Sequence, residues 1–358
     1  MKKSLLALAA LTAFAGVASA QSSVTLFGIV DLAARNVKNG NAGSLKTLST
    51  NGQASSRLGF RGIEDLGGGM RAGFWLEGDI SADVGGGQKT AATANGSTAN
   101  GQDWQRRATI SLMGGFGEVR MGRDYTPTFN SFATFDPFGY VGVASAANMR
   151  TSGLFVTATS GTAVRASNTI SYFLPAMGGL YGQLEVAAGE GVGPPANKYI
   201  GGRLGYAAGP INVSGAWGKT EKVGPMVDDQ TTMNVGASFN AGFATLQGVF
   251  EKSEYSTFEQ KLMSVSAIVP MGAGTLKAQY TSSTGSANYR AKQLGLGYVY
   301  ALSKRTSIYT NYGTIKNNSS GVGALAVGPR FTSSSGGPAG MALRQKSTGY
   351  EFGVRHDF

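Results

Sequence analysis

The last ten residues, GYEFGVRHDF (349–358), alternate in polarity up to the final residue. One side of this stretch is mostly apolar, with Tyr350, Phe352, Val354, His356 and Phe358. The other side carries Glu351, Gly353, Arg355 and Asp357. Successive side chains of a β-strand point to opposite faces. Chain ends are usually loose and polar, so a strand that stops on a phenyl ring predicts a terminus tied into a sheet with one apolar face.

The composition excludes several kinds of site. The 358-residue chain has 55 Gly, and its charged residues make up 14%, against roughly 25% in a typical soluble domain. It contains no Cys, which excludes disulfides and thiolate chemistry. Its single His, His356, lies on the apolar side of the last strand. A Ser-His-Asp triad or a His-rich metal site would require that residue, so we expect neither an enzyme nor a bound metal or cofactor.

Residues 1–20 predict a cleaved secretory signal peptide. Lys2 and Lys3 precede a short apolar stretch, and Ala-Ser-Ala at 18–20 supplies the small residues that a signal peptidase requires. An anchoring helix is the alternative, but polar residues follow at once from Gln21. The predicted mature chain is one domain, 21–358, and losing the two lysines lowers the formal net charge from +11 to +9.

Period-two alternation recurs along the mature chain. The stretch LGLGYVY (294–300), for example, places Leu294, Leu296 and Tyr298 opposite Gly295 and Gly297. Apolar residues on one face and small or polar residues on the other suit a lipid-facing barrel strand. A β-sandwich strand also alternates, so the number and spacing of the connections must decide between the two folds.

The connections alternate between short and long. Short turns rich in Gly, Asn or Pro are expected at 65–69, 114–117, 175–179, 207–210, 240–243, 271–274 and 302–304. Longer connections are expected at about 39–52, 84–102, 126–165, 190–197, 222–229, 256–259, 284–289 and 318–345. These fifteen connections join sixteen strands. Short connections at one end of the strands and long connections at the other favour a sixteen-stranded antiparallel transmembrane β-barrel over a sandwich. The barrel must be closed, because an open sheet edge in lipid would leave backbone groups unsatisfied.

Several segments resemble the Gram-negative general porins, in their sixteen-stranded trimeric branch. They are SSVTLFGIVDLA (22–33), SSRLGFRGIEDLGGGMRAGFWLEGD (55–79), GEVRMGRDYTP (117–127), FDPFG (135–139) and the aromatic C-terminus. The resemblance implies a homotrimer of water-filled pores in the bacterial outer membrane, surrounded by lipid and lipopolysaccharide. Small hydrophilic solutes and ions would diffuse through these pores passively.

The resemblance also implies that the third outer loop folds into the lumen and narrows each channel. The corresponding connection, 126–165, is much longer than the 12–15 residues beyond which a loop is usually functional or disordered. Its many Phe and Tyr residues favour packing against a wall, with an exposed surface loop as the alternative.

Arginines on the early strands predict the charge of the narrow point. In porins the basic side of the neck lies on these strands, and Arg57 and Arg107 match its positions. Arg150 resembles an arginine that some anion-selective relatives carry late in the folded loop, where Asp136 is the only acidic residue between 126 and 165. Rings of Arg favour anions. The expected constriction is lined by Arg57, Arg61, Arg107, Arg120, Arg150 and Asp136.

Other interpretations remain open at this level. The arginines could be structural, paired with Glu77, Asp79 or Glu118. A substrate-specific outer-membrane channel would need an aromatic slide or a dense basic ladder, and only the arginine cluster is visible. The pI of 9.7 could suggest nucleic acid, but Lys and Arg are scattered, so we expect no nucleic-acid partner.

Overall fold

The computed structural model describes residues 23–40, 43–86, 103–150, 162–189, 198–223, 228–286, 288–317 and 345–358. The predicted signal peptide, residues 1–20, lies outside these ranges. All strands belong to one antiparallel sheet, which closes because the first strand pairs with the last. The strands are β1 (Ser23–Asn39), β2 (Ser44–Thr50), β3 (Arg57–Gly67), β4 (Met70–Asp79), β5 (Arg107–Gly114), β6 (Gly117–Tyr125), β7 (Arg165–Phe173), β8 (Leu180–Ala187), β9 (Tyr199–Ala208), β10 (Ile211–Val223), β11 (Asp228–Asn240), β12 (Thr245–Tyr255), β13 (Phe258–Met271), β14 (Gly274–Gly285), β15 (Tyr289–Ala301), β16 (Thr306–Asn317) and β17 (Lys346–Asp357).

The segments β2 and β3 are two parts of one barrel strand. β2 pairs with residues 32–38 of β1, and β3 pairs with residues 23–29 of the same strand. The closed sheet is therefore a sixteen-stranded barrel, which confirms the predicted fold class.

Two of the predicted long connections are wrong in extent. The stretch 39–52 contains β2. Its Ser, Thr and Lys residues are typical of a loop, but its backbone pairs with residues 32–38 of β1. The stretch 256–259 is a tight turn, because β12 and β13 stay paired up to Tyr255 and Phe258. All seven predicted short turns join neighbouring strands at one end of the barrel.

The two faces of the barrel wall differ in polarity, as β14 shows. Its outward side chains Leu276 and Tyr280 are exposed, whereas its inward side chains Gln279, Thr281 and Ser283 are buried. A soluble protein would have the reverse arrangement. Apolar residues facing outward around a polar interior are what a barrel in a lipid bilayer requires.

The barrel closes at the final residue of the chain. The backbone N–H of Phe358 donates to the carbonyl of Gly28 at 3.1 Å, and the Gly28 N–H donates to the Phe358 carbonyl at 3.0 Å. The phenyl ring of Phe358 covers Gly28 on the outer face. On the same face His356 lies beside Thr306, at 2.9 Å from its hydroxyl. The alternation of the last ten residues is thus that of the closing strand.

The third long connection contains two short helices. Helix α1 (Pro127–Ala133) begins with Pro127 after the N-cap Thr126, whose side-chain hydroxyl accepts from the Phe129 N–H at 3.4 Å. Helix α2 (Ala147–Arg150) follows after a buried turn. Neither helix, nor any other helix in the described ranges, has the length and apolarity needed to cross a membrane.

This connection folds into the lumen, as predicted. From β10, the Ser214 hydroxyl lies 2.8 Å from that of Ser131. From β15, Gln293 donates to the Ser145 carbonyl at 3.0 Å. From β17, Glu351 accepts from the Val143 N–H at 3.3 Å. Because inward residues of strands on both sides of the barrel, β10 on one and β15 and β17 on the other, contact it, the loop crosses the interior. We call residues 126–150 the inner loop.

The contact between Phe358 and Gly28 predicts a sensitivity to substitution. A Cβ at Gly28 would overlap the Phe358 ring and lie 2.8 Å from the Arg57 carbonyl oxygen. We expect Gly28→Ala to lower the free energy of unfolding by roughly 1–3 kcal/mol, the usual cost of overpacking. Urea unfolding of the protein folded into lipid vesicles measures this change.

Gly215→Ala is the matched control for this prediction. Gly215 also lies within a strand, but its added Cβ would meet only a carbonyl oxygen, 3.7 Å away. We expect stability that is unchanged or slightly raised. Equal losses in the two variants would show that the phenyl–glycine contact is not the cause.

Candidate pore constriction

Four of the predicted arginines lie on one wall of the lumen. Arg57 and Arg61 belong to β3, Arg107 to β5 and Arg120 to β6. The register places these strands side by side, with Arg61 opposite Trp75 and Arg107 opposite Glu77 of β4. Trp75 lies between two of them, with its ring 5.2 Å from the Arg61 guanidinium and 4.5 Å from that of Arg107. We call this surface, which extends from β3 to the start of β7, the arginine wall.

Carboxylates on the same strands pair with three of these arginines. Arg57 lies 3.3 Å from Glu77, and Arg107 lies 3.5 Å from Asp124. Arg120 lies 2.6 Å from Asp124 and 2.8 Å from Glu118. The pairing expected in the structural interpretation is therefore present for Glu77 and Glu118. Arg61 differs, because its described contacts are with the rings of Phe27 and Trp75.

Sequence reasoning missed two further arginines of this wall. Arg106 is buried and lies 2.6 Å from Glu77 and 2.7 Å from Asp79. Arg165 donates to the Tyr125 hydroxyl at 2.8 Å, with its guanidinium 4.4 Å from the Tyr125 ring. Strand alternation could not assign either one, since Arg106 precedes β5 and Arg165 is the first residue of β7. The pair Arg106-Arg107 in QRR was the only available signal.

The structure does not bring Arg150 to this wall. Arg150 ends α2 and pairs with Glu251 of β12 at 2.6 Å, and it also donates to the Tyr140 hydroxyl and the Ala163 carbonyl. Burial lowers the pKa of Arg150, but Glu251 and Tyr140 raise it more, so the pKa lies above its ordinary value. Arg150 is therefore a charged anchor between the inner loop and the opposite wall.

Asp136 is also apart from the arginines. Its carboxylate accepts from the Ser145 hydroxyl at 2.7 Å, the Phe138 N–H at 3.1 Å and the Tyr140 N–H at 3.2 Å. From β14, Gln279 donates to it at 3.3 Å. Burial raises the pKa of Asp136, and these hydrogen bonds oppose that shift. The carboxylate thus shapes the turn of the inner loop from within.

Glycines on β11, β15 and β16, outside the arginine wall, make room for the inner loop. An added Cβ at Gly236 would overlap the Phe135 ring, and one at Gly313 would overlap the Val143 carbonyl. Gly295 stands in the same relation to Ala144. Because glycine has no side chain, the inner loop lies directly against the strands at these positions. The inner loop is therefore packed against β11, β15 and β16.

The geometry suits an electrostatic filter, which acts on passing ions through charge alone. Guanidinium groups and aromatic rings face a loop that narrows the interior, and the side chains are held by ion pairs and hydrogen bonds. Within the described ranges, no three His, Asp or Glu side chains are grouped so that they could hold a metal ion.

Comparisons with known proteins give the same family over most of the chain. The family model described as Gram-negative porin matches residues 7–320. Outer membrane porin protein 32 of Delftia acidovorans is 38% identical over 372 aligned residues, which cover 100% of both chains.

Solved structures of similar proteins have the same fold. The anion-selective porin from Comamonas acidovorans superposes with a TM-score of 0.78 at 34% identity, covering 94% of this chain and 100% of that one. Salmonella typhi OmpF, in complex with daunomycin, has a TM-score of 0.65 at 16% identity, covering 94% and 97%. The second likeness concerns the fold alone.

The family match, the full-length relative and the closed barrel with its narrowed lumen lead to one conclusion. The chain belongs to the Gram-negative porin family and is a pore of the bacterial outer membrane.

Proposed function

We propose that this pore favours anions, and that the arginine wall produces the preference. The observation that carries the proposal is an excess of guanidinium groups over paired carboxylates on this wall. Within the described residues, Arg61 and Arg165 form no ion pair and lie instead on the rings of Trp75 and Tyr125. An aromatic ring attracts a cation without cancelling its charge. The wall therefore keeps a net positive potential.

Elementary electrostatics supports an effect of this charge on permeating ions. A guanidinium stays protonated at any working pH. The Debye length at physiological salt is about 8 Å, so the field of a wall charge extends into an aqueous lumen before it is screened. Arg57, Arg107 and Arg120 add less than Arg61, because each shares a carboxylate.

In this proposal the other two predicted constriction residues act through the inner loop. Arg150 ties the loop to β12, and Asp136 organises its central turn. They fix the width of the passage, and the arginine wall supplies its charge. The anion selectivity named for the Comamonas porin, at 34% identity, supports the same assignment here.

We also propose that three copies of the barrel assemble in outer-membrane lipid and lipopolysaccharide. The resemblance to the trimeric branch supports this assembly. The outward side chains Leu26 of β1 and Phe74 of β4, on the strands that flank β3, are exposed in the single barrel and require a cover of lipid or of another copy.

Loss of a wall charge should reduce the anion preference. In water a unit charge about 8 Å away contributes about 0.5 kcal/mol before screening. We therefore expect Arg61→Ser or Arg107→Ser to lower the anion-to-cation permeability ratio by roughly twofold to sixfold, depending on salt. Reversal potentials across planar bilayers under a salt gradient measure the ratio.

Arg305→Ser is the control, because Arg305 is exposed in a short turn outside the lumen and its loss removes the same charge. We expect its permeability ratio to equal that of the wild type. A wild-type reversal potential of cation-selective sign would exclude the proposed preference. If the permeability ratio is unchanged in both wall variants, these arginines have a structural role and do not produce the selectivity.

The preference should also weaken as salt is raised. The Debye length falls from about 30 Å at 0.01 M to about 3 Å at 1 M. Reversal potentials at a fixed concentration ratio should approach the ratio of free-solution ion mobilities as the mean salt concentration increases. A selectivity independent of salt would indicate exclusion by size and would contradict an electrostatic filter.

The assembly can be tested by electrophoresis. Protein extracted in mild detergent and left unheated should run at about three times the monomer mass, as expected for a closed cyclic assembly of three copies. Boiling should convert it to monomer. A monomer-only band before heating, together with a single-barrel mass in light scattering, would contradict the trimer.

A further inference from the structure

The barrel strand formed by β2 and β3 is interrupted at residues 51–56. The register leaves these six residues opposite only Val30 and Asp31 of β1. The base of the interruption is closed by hydrogen bonds, in which the Ser56 N–H donates to the Asn51 side chain at 2.6 Å and the Asp31 N–H donates to the Ser56 hydroxyl at 2.9 Å. The surplus residues form a compact excursion from the wall, which we call the inward segment.

The inward segment extends into the lumen. Asn311, an inward residue of β16, donates to the Gly52 carbonyl at 3.2 Å. Ser307 of the same strand donates to the Gln53 side chain at 3.1 Å. Since β1 and β17 lie between β3 and β16 in the sheet, the segment must pass across the inner face of both strands to make these contacts.

Asp31 holds the segment at its centre. Its carboxylate accepts from three successive backbone N–H groups, those of Gly52 at 3.1 Å, Gln53 at 2.8 Å and Ala54 at 2.7 Å. The Tyr309 hydroxyl donates to the same carboxylate from β16. Asp31 is fully buried, at 0% exposure. A buried carboxylate with four donors is a strong and directional anchor.

The segment contacts both sides of the constriction. Toward the arginine wall, the Ser55 carbonyl accepts from Arg57 Nε at 2.9 Å. Toward the inner loop, Gly142 has a φ of 78°, and a Cβ there would overlap the Gly52 carbonyl oxygen. The position of Arg57 and the packing of the loop near Gly142 therefore both depend on where the inward segment lies.

We propose that Asp31 is a positioning residue for the pore, which fixes the inward segment as a second narrowing element and thereby sets the orientation of Arg57. The part of this inference that concerns Arg57 rests on the proposed anion preference. The part that concerns the narrowing does not, because a loosened segment in the lumen disturbs the current of any permeant ion.

Asp31→Asn distinguishes positioning from charge by the sign of its effect. Loss of a lumen carboxylate would by itself raise the anion preference. If Asp31 acts by positioning, Arg57 becomes mobile, and we expect the anion-to-cation permeability ratio to fall by roughly twofold, about the effect of displacing one wall charge. The open-channel current noise should rise in the same recordings, because the segment fluctuates within the passage.

Tyr309→Phe is the second variant, since it removes one donor to Asp31 without changing the charge of the lumen. We expect a smaller change in the same direction for both readouts. Thr281→Val is the control, because Thr281 is as buried and is bonded to Ser264 at 3.0 Å on the wall away from the segment. Its channels should match the wild type in noise and selectivity.

The readouts separate failure of this proposal from failure of the proposed function. A wild-type channel without anion preference would contradict the proposed function. The current noise of the Asp31 and Tyr309 variants would still decide whether Asp31 positions the inward segment. Wild-type noise in both variants, or an increased anion preference in Asp31→Asn without added noise, would overturn the positioning role. If Asp31→Asn does not fold, Tyr309→Phe decides alone.

Discussion

The structure depends on one constraint, which is that no backbone N–H or C=O group can remain unpaired within the hydrocarbon of a bilayer. A sheet meets this condition only by closing, and closure requires β1 and β17 to pair along their full common length. The reciprocal hydrogen bonds between Gly28 and Phe358 complete the pairing at the last residue. An antiparallel sheet closes in this way only with an even number of strands, which explains why β2 and β3 must together act as one.

Closure also determines what the interior can be. Because the apolar side chains face lipid, the inward positions are polar, and whatever enters the lumen must dock on hydrogen-bonding groups. The inner loop does so through Ser131, Val143 and Ser145, which hydrogen-bond to residues of β10, β17 and β15. Its aromatic residues pack where the wall has glycine instead of a side chain, as Phe135 does at Gly236. Polar docking fixes the position of the loop, and the missing side chains allow it to approach the wall.

The sequence predicts those features that repeat with period two or that end in a turn. Strand number, the inner loop and the lumen-facing Arg57, Arg61, Arg107 and Arg120 follow from alternation and from the resemblance together. Alternation assigns a face only inside a strand, so Arg106 and the segment 51–56 were missed. It also carries no information on contacts between distant residues. The pair formed by Arg150 and Glu251, 101 positions apart, could not be read from the chain.

The arginine wall combines two ways of holding a cation, and each has a consequence for permeation. An ion pair such as that of Arg57 with Glu77 fixes geometry but cancels much of the field. A ring contact such as that of Arg61 with Trp75 orients the guanidinium less strictly and preserves its charge. A wall of unpaired arginines would repel itself, whereas a fully paired wall would be neutral toward solutes. On the inner face of β4, one aromatic ring, Trp75, and two carboxylates, Glu77 and Asp79, therefore stabilise the cluster without neutralising all of its charge. In the proposed function, the remaining charge is what an anion in transit would meet.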